Sequence, residues 1–140
     1  MSEEKQARVE VFFYGLFMDE ALLREKGLSP EGRRPACVED FRLVIGERAT
    51  LVRCAGGRAY GVLFSLTRGE VGALYSEGSV SAYRPEPVSA RLDDGSVVAA
   101  LCYNLPAPPA AERRNPLYAS KLRELAARLG LPAGYVSSIR

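Results

Sequence analysis

The chain has 140 residues, which suits one ordinary domain and is too short for two well-packed ones. Hydrophobic residues make up 47% and charged residues 26% of the chain, a mixture that is typical of globular proteins and excludes a disordered tail. The 19 basic and 17 acidic residues leave a net charge of +2 and are interspersed, so we expect no nucleic-acid partner.

Histidine is absent from the sequence, which excludes Ser-His-Asp and Cys-His catalysis, His-ligated zinc and an imidazole base. The 3 cysteines form no CxxC pair, and an odd number is a poor disulfide framework, so we expect no metal site and a reducing compartment. The first residues lack the apolar core of a signal peptide, and no apolar run is long enough to cross a membrane. We therefore expect a cytoplasmic protein with no membrane partner, and its oligomeric state stays open.

The first elements in chain order are a strand and a short helix. Residues 9–14 are β-branched and aromatic, which is typical of a strand, and the strand stops at Gly15. Asp19 can cap a helix that runs to about Lys26 and ends at the next glycine.

The middle of the chain predicts several short strands. Residues 30–35 are predicted to be turn-rich because of their prolines. Strands are predicted at residues 41–45 and 49–54, with a turn at residues 54–58. Residues 59–66 are apolar on both faces, which is typical of a central strand.

A β-hairpin is predicted in the second half of the chain. The pair Asp94-Gly95 is a strong signal for a two-residue turn between strands at residues 88–92 and 97–104. The register that this turn sets predicts that one face of the hairpin is uniformly apolar. The predicted facing pairs are Leu92 with Val97, Ala90 with Ala99, and Val88 with Leu101.

Two helices carry clear start signals. Thr67 and Glu70 form a predicted capping box for a short helix that follows the central strand. Asn115 caps the last long helix, Pro116 begins it, and Gly130 ends it. A stripe of apolar residues spaced by four, three and four along this helix indicates one buried face. The stripe consists of Tyr118, Leu122, Leu125 and Leu129.

These elements predict one α+β domain over residues 1–140. Strands do not alternate regularly with helices, which favours a small mixed, mainly antiparallel β-barrel with flanking helices. Residues 1–7 are expected to be flexible, residues 105–114 to form a surface linker, and residues 131–139 to form a final short helix.

The first candidate site is the loop between the first strand and the first helix. A glycine at a strand end lets the backbone approach a ligand closely, and successive N–H groups before a helix can bind a carboxylate or phosphate. The same pattern also suits a plain strand-to-helix turn. The loop consists of Tyr14, Gly15, Leu16, Phe17 and Met18.

Two glutamates are candidates for acid–base chemistry. Glu77 follows a short helix in a loop of small residues, where a carboxyl group partly removed from water can shuttle a proton. Glu86 lies between Pro85 and Pro87, which fix its backbone and can aim its side chain. The alternatives are a solvated loop residue for Glu77, and an ion pair with Arg84 or a rigid strand entry for Glu86.

The ordered set of these features resembles the gamma-glutamylcyclotransferase-like family over roughly residues 9–105. Residues 13–19 are similar to the family's Tyr-Gly loop and the helix that follows it. Residues 59–66 are similar to the family's strand that leads into a short helix. The family's acidic loop and Tyr-Arg pair have counterparts in residues 74–78 and 83–84.

This resemblance implies release of 5-oxoproline from a small-molecule gamma-glutamyl compound, with no cofactor and no metal. It implies that Glu77 is the general acid and base. That assignment requires one deleted residue before Tyr83; without the deletion the catalytic position falls on Gly78, and Glu86 is the alternative. The substrate-binding residues that the resemblance implies are Tyr14, Gly15, Leu16, Phe17 and Tyr83.

Two other classes of function stay open, because Leu16 stands where the family has a small polar residue and is followed by the bulky Phe17. One is a member of the same fold that binds a small carboxylate-bearing ligand without turnover, or that acts on another substrate. The other is an interaction module that docks through its C-terminal helix. The fold alone does not choose among them.

Overall fold

A computed structural model of the chain describes residues 7–107, 109 and 115–140. The predicted flexible segment at residues 1–7 and the predicted surface linker at residues 105–114 fall largely outside the described residues and stay predictions. The described part of the chain contains no helix with the length and apolar character needed to cross a membrane.

Five strands and four α-helices make up the described fold. A single 3-10 turn, Leu16–Met18, links the first strand to the first helix. The elements in chain order are β1 (Arg8–Phe13), α1 (Glu20–Glu25), β2 (Glu31–Ile45), β3 (Ala49–Thr67), α2 (Arg68–Leu74), β4 (Arg84–Leu92), β5 (Val97–Asn104), α3 (Pro116–Arg128) and α4 (Ala133–Ser138).

The strands close into a barrel in the order β1-β3-β2-β4-β5, and β5 returns to β1. All neighbouring strands are antiparallel except β1 and β5, which are parallel where Val11 pairs with Leu101. The α+β barrel with flanking helices that the sequence predicts is confirmed. Closure places the end of β1 beside β5, and this juxtaposition positions the loop after β1.

Two apolar clusters hold the fold together. One fills the barrel and includes Phe12 and Leu63. The other lies between the barrel and the helices and includes Val11, Phe64 and Leu122. Because successive side chains of a strand point to opposite faces, β1 contributes to both clusters and ties the helices to the barrel.

The residues predicted as strands at 41–45, 49–54 and 59–66 all lie in strands, but their division into short strands is wrong, because β2 and β3 form one long antiparallel hairpin. Residues 31–35 of the segment predicted to be turn-rich lie inside β2, and the turn predicted at 54–58 lies inside β3. The ladder changes register beside Asp40, whose φ is 66°, and Gly56 on the partner strand has φ 79°. The Asp40 carboxylate accepts a hydrogen bond from the Gly56 N–H at 3.0 Å. These residues form a bulge that bends the hairpin instead of a turn that ends a strand.

The pairing predicted for β4 and β5 is wrong by one residue. Val88 opposes Ala100 instead of Leu101. The Leu92 N–H donates to the Ser96 carbonyl at 2.8 Å, so the loop between them has three residues, and its glycine has φ 88°. A turn that ends in a glycine with positive φ is the usual form of a three-residue hairpin loop. The same shift displaces the other predicted pairs, Leu92 with Val97 and Ala90 with Ala99.

The predicted helix starts are confirmed. The Thr67 hydroxyl accepts from the Glu70 N–H while the Glu70 carboxylate accepts from the Thr67 N–H, which completes the capping box of α2. The Asn115 side chain accepts from the Tyr118 N–H, and α3 begins at Pro116. Both caps depend only on neighbouring residues, which is why the sequence reveals them.

Candidate active site

A cavity of about 360 Å³ lies between the end of β1, the helix α1, the segment after α2, and α3. This volume is at the small end of the roughly 300–1,000 Å³ found for ligand pockets. The wall is mostly apolar and aromatic, with two acidic and two basic side chains. The charged residues are Lys26, Glu47, Arg48 and Glu77, and the tyrosines are Tyr14, Tyr75, Tyr83, Tyr103 and Tyr118.

The loop after β1 forms one side of the cavity. Gly15 precedes the 3-10 turn Leu16–Met18. The Leu16 N–H donates to the Tyr118 hydroxyl at 3.3 Å. The backbone N–H groups of Gly15 and Phe17 have no hydrogen-bond acceptor among the residues that the structure describes. These two groups can therefore donate to an oxygen of a ligand.

The absence of a side chain at Gly15 allows α3 to approach the loop closely. A Cβ at this position would lie 2.6 Å from the Tyr118 hydroxyl oxygen. Burial raises the pKa of Tyr118, while the hydrogen bond from the Leu16 N–H opposes this rise. The Tyr118 hydroxyl is thus neutral at pH 7, and it fixes the loop against the helix.

The tyrosine hydroxyls of the cavity wall are partly used by the protein itself. The Tyr14 hydroxyl donates to the Tyr103 carbonyl at 2.7 Å, and the Tyr83 hydroxyl donates to the Ala49 carbonyl. Tyr75 stacks on Tyr103 with ring centroids 4.0 Å apart and planes 8° apart. Burial is the main cause that raises the pKa values of Tyr14, Tyr75 and Tyr83, so these side chains are neutral. They give the cavity an uncharged aromatic wall.

Glu77 lines the same cavity as the loop. Its Oε1 and Oε2 atoms accept hydrogen bonds from Lys26 Nζ at 3.0 and 2.9 Å. Lys26 follows α1, and its Nζ also lies 5.9 Å from the centroid of the Phe17 ring. The side chains of Lys26 and Glu77 are 26% and 40% exposed, so the ion pair is open to solvent at the cavity wall. The structure therefore brings Glu77 together with the loop and with a lysine.

Glu86 lies outside this group of residues. Its Oε1 atom accepts from Asn104 Nδ2 at 2.5 Å, and its Oε2 atom accepts from the Arg53 guanidinium at 3.2 Å. Asn104 in turn accepts the Leu51 N–H at 3.2 Å. Arg84, the ion-pair partner considered from the sequence, donates instead to backbone carbonyl groups. The Glu86 carboxylate is thus bound to the strands of the barrel.

The charged residues Lys26, Glu47 and Arg48 and the tyrosine Tyr118 line the cavity but carry no site signal in the sequence. Tyr118 belongs to the apolar stripe of α3, which predicts packing alone. Met18, by contrast, belongs to the predicted loop but is fully buried in the core. In the described ranges, no group of three or more Cys, Asp or Glu side chains is arranged to hold a metal ion.

The chain resembles known proteins in both sequence and structure. The family described as gamma-glutamyl cyclotransferase, AIG2-like, has a sequence model that matches residues 11–122. No curated protein matches the sequence.

Several solved structures share the fold. A structure named gamma-glutamyl cyclotransferase has a TM-score of 0.80 and 18% identity, with 96% of this chain and 89% of that chain covered. The protein loc79017 from Homo sapiens has a TM-score of 0.77 and 20% identity, with 95% and 88% covered. YkqA from Bacillus subtilis has a TM-score of 0.76 and 21% identity, with 96% of this chain and 54% of that chain covered. Identities at this level show a common fold.

Proposed function

Because the chain belongs to the gamma-glutamyl cyclotransferase, AIG2-like family, we propose that it releases 5-oxoproline from a gamma-glutamyl amide. One observation carries the proposal: Glu77 and the loop at residues 14–17 line a single cavity of about 360 Å³. A carboxylate can act as general acid and base in an intramolecular acyl transfer, and backbone N–H donors can stabilise the negative charge that develops on the acyl oxygen.

In the proposed reaction, the α-amine of the substrate attacks its own γ-carbonyl carbon. A carbon–nitrogen bond forms as the ring closes, and the bond between the γ-carbon and the departing nitrogen breaks. The products are 5-oxoproline and a free amine, and no water is consumed. Because the attack is intramolecular, holding the folded conformer can supply up to roughly 7–11 kcal/mol of the barrier.

Glu77 is proposed to be the general base and then the general acid. Its carboxylate takes the proton that the attacking nitrogen loses, and the resulting carboxylic acid gives a proton to the departing nitrogen. The two contacts with Lys26 hold the carboxylate in one orientation. Glu86 is not proposed for this role, because its carboxylate is bound to Asn104 and Arg53.

The loop is proposed to bind the oxygen atoms of the substrate. The N–H groups of Gly15 and Phe17 can donate to the α-carboxylate or to the γ-carbonyl oxygen, on which negative charge develops. Leu16 and Phe17 line the cavity with apolar surface, and so do Tyr14 and Tyr83, whose hydroxyls are bound to carbonyl groups. These four side chains are proposed to contact the methylene groups of the substrate.

The proposal is tested by incubating the purified protein with gamma-glutamyl amino acids and gamma-glutamyl amines and measuring 5-oxoproline by mass spectrometry. The Glu77→Gln variant should lose about 100-fold or more in kcat, because general acid–base catalysis typically contributes roughly 10²–10⁴-fold. Glu25→Gln, a matched substitution at an exposed residue outside the cavity, should keep the wild-type rate. A folded protein that forms no 5-oxoproline from any of these compounds would refute the activity. Equal rates for Glu77→Gln and wild type would refute the role of Glu77.

A second candidate function is binding without turnover. It is favoured by the ion pair with Lys26, which already occupies both carboxylate oxygens of Glu77. In that case 5-oxoproline or glutamine would raise the melting temperature of the protein while no product appears from any gamma-glutamyl compound.

A further inference from the structure

Lys26 and Glu77 place one positive and one negative charge side by side on the cavity wall. The Lys26 ammonium contacts both carboxylate oxygens, at 3.0 and 2.9 Å. Since neither side chain is fully buried, both charges can be reached from the cavity. The wall therefore presents a fixed pair of opposite charges to a ligand.

Both the backbone and the ammonium group of Lys26 have defined neighbours. The backbone N–H of Lys26 donates to the Leu23 carbonyl at 3.1 Å and so closes the last turn of α1. The next residue, Gly27, has φ 88° and ends the helix. The ammonium lies 5.9 Å from the Phe17 ring centroid, within the range of a cation–π contact. Lys26 thus touches both the base proposed for the reaction and the loop proposed to bind substrate.

The head group of an amino acid carries the same two charges on a single carbon atom. A head group that lies against the pair with its ammonium at Glu77 and its carboxylate at Lys26 gives every charge a partner. A ligand without the carboxylate has to place its ammonium beside Glu77 while the Lys26 ammonium is within 3.0 Å of the same oxygens. The repulsion between the two ammonium groups disfavours such a ligand.

We propose that Lys26 binds the α-carboxylate of the substrate, so that the protein selects gamma-glutamyl compounds whose α-amine and α-carboxylate are both free. This inference rests on the proposed function. It places the α-amine beside Glu77, because the amine and the carboxylate share the α-carbon. It also leaves the N–H groups of Gly15 and Phe17 for the γ-carbonyl oxygen, on which negative charge develops.

Arg48 is the other basic side chain of the cavity wall. It lies near Tyr83: burial raises the pKa of that tyrosine, and the Arg48 guanidinium acts in the opposite direction. Arg48 is therefore the alternative anchor for a ligand carboxylate, and the experiment has to separate it from Lys26.

The experiment compares a gamma-glutamyl amino acid with the analogue whose α-carboxylate is converted to an amide. We define discrimination as the ratio of the kcat/KM values for the two compounds. Because a hydrogen bond to a charged group is worth roughly 10- to 100-fold in an equilibrium constant, the wild type should prefer the free carboxylate by at least about tenfold. Lys26→Met should bring the ratio close to one, mainly by raising KM for the free acid, and Lys26→Arg should restore most of it.

Two further variants serve as controls. Arg24→Met removes a basic residue of α1 that pairs with Glu20 at 2.8 Å and lies outside the cavity, and it should keep the wild-type discrimination. Arg48→Met should also keep it. A merely structural effect of Lys26→Met would change both compounds alike and leave the ratio unchanged, which would overturn the inference. Loss of discrimination in Arg48→Met instead of Lys26→Met would overturn it as well.

Failure of the proposed function gives a different result. If the wild type forms 5-oxoproline from neither compound, the inference is decided by the melting temperature in the presence of L-glutamine and of its α-amide. A rise with L-glutamine alone, seen in the wild type and Arg24→Met but lost in Lys26→Met, supports carboxylate binding by Lys26. Equal rises in the wild type and Lys26→Met, or no rise in the wild type, overturn it.

Discussion

Replacing Gly15 by alanine tests how closely the loop and α3 depend on each other. Gly15 has φ −110° and ψ −153°, a conformation that alanine also adopts, so the backbone itself causes no strain. The new Cβ would lie 2.6 Å from the Tyr118 hydroxyl oxygen. Carbon and oxygen atoms pack at about 3.3–3.6 Å, so either the tyrosine or the loop has to move.

The expected cost follows from this contact. Over-packing by one methyl group typically costs about 1–3 kcal/mol. Movement of the Tyr118 hydroxyl also weakens the hydrogen bond from the Leu16 N–H, which is 3.3 Å long, and such a bond contributes about 1 kcal/mol. We therefore expect Gly15→Ala to lower the free energy of unfolding by about 2 kcal/mol.

Urea unfolding of four proteins measures this effect: the wild type, Gly15→Ala, Tyr118→Phe and the double variant. Because removal of the Tyr118 hydroxyl makes room for the Cβ, the double variant should be more stable than the sum of the single effects predicts, by about 1 kcal/mol or more. Gly72→Ala is the matched control, since a Cβ at that helical position has nothing within 4 Å. That control should be neutral or stabilising by up to about 1 kcal/mol. Wild-type stability of Gly15→Ala, or additive effects in the double variant, would refute the reasoning.

Two further predictions concern stability. Gly61→Ala should destabilise the protein more than Gly15→Ala does. The new Cβ at position 61 would lie 2.1 Å from the Phe13 carbonyl oxygen, a backbone atom of β1 that cannot rotate away. A smaller loss of unfolding free energy than for Gly15→Ala in the urea assay would contradict this. Stability should fall at alkaline pH, since burial and then the charge of Glu86 raise the pKa of Cys102 to about 12. Because the thiol has a higher pKa in the folded protein than in the unfolded chain, its contribution to the free energy of unfolding is complete below pH about 8.5. This contribution is lost as the pH rises toward 12, by at most about 1.4 kcal/mol per pH unit. Cys102→Ala should show a shallower fall in the urea midpoint between pH 8 and pH 10.5, and an unchanged slope would contradict the assignment.

The sequence predicts those elements whose cause is local. The capping box of Thr67 and Glu70 and the cap at Asn115 each join residues three positions apart, and both are found where the sequence indicates them. The same holds for Asp19, whose side chain accepts from the Ala21 N–H at 3.0 Å at the start of α1.

Prediction from the sequence fails where a residue far along the chain decides between two local structures, such as a turn and a bulge. The glycines at positions 56 and 57 suit a turn as well as a bulge. Gly57 lies so close to β2 that a Cβ would be 2.6 Å from the Phe41 carbonyl oxygen. Because that contact exists only once the two strands are paired, the local pattern predicts a turn where the structure has one continuous strand.

The candidate site divides in the same way. The loop and Glu77 are found through an ordered pattern of short motifs that resembles a known family. Lys26 has no such pattern: a lysine after a short helix is common, because a positive charge there interacts favourably with the helix dipole. Its partner Glu77 is 51 positions away, and only the folded chain brings the ammonium and the carboxylate together.

The C-terminal helix α3 forms part of the site, and its position depends on its first turn. The Asn115 side chain accepts from the Tyr118 N–H and donates to the Glu47 carbonyl at 3.0 Å, which binds the start of the helix to the loop between β2 and β3. The Tyr118 hydroxyl, one turn further, holds the Leu16 N–H. Leu122 is fully buried and anchors the helix on the barrel. Because both Glu47 and Leu16 line the cavity, a change that loosens this turn has to alter the cavity as well as the stability of the domain.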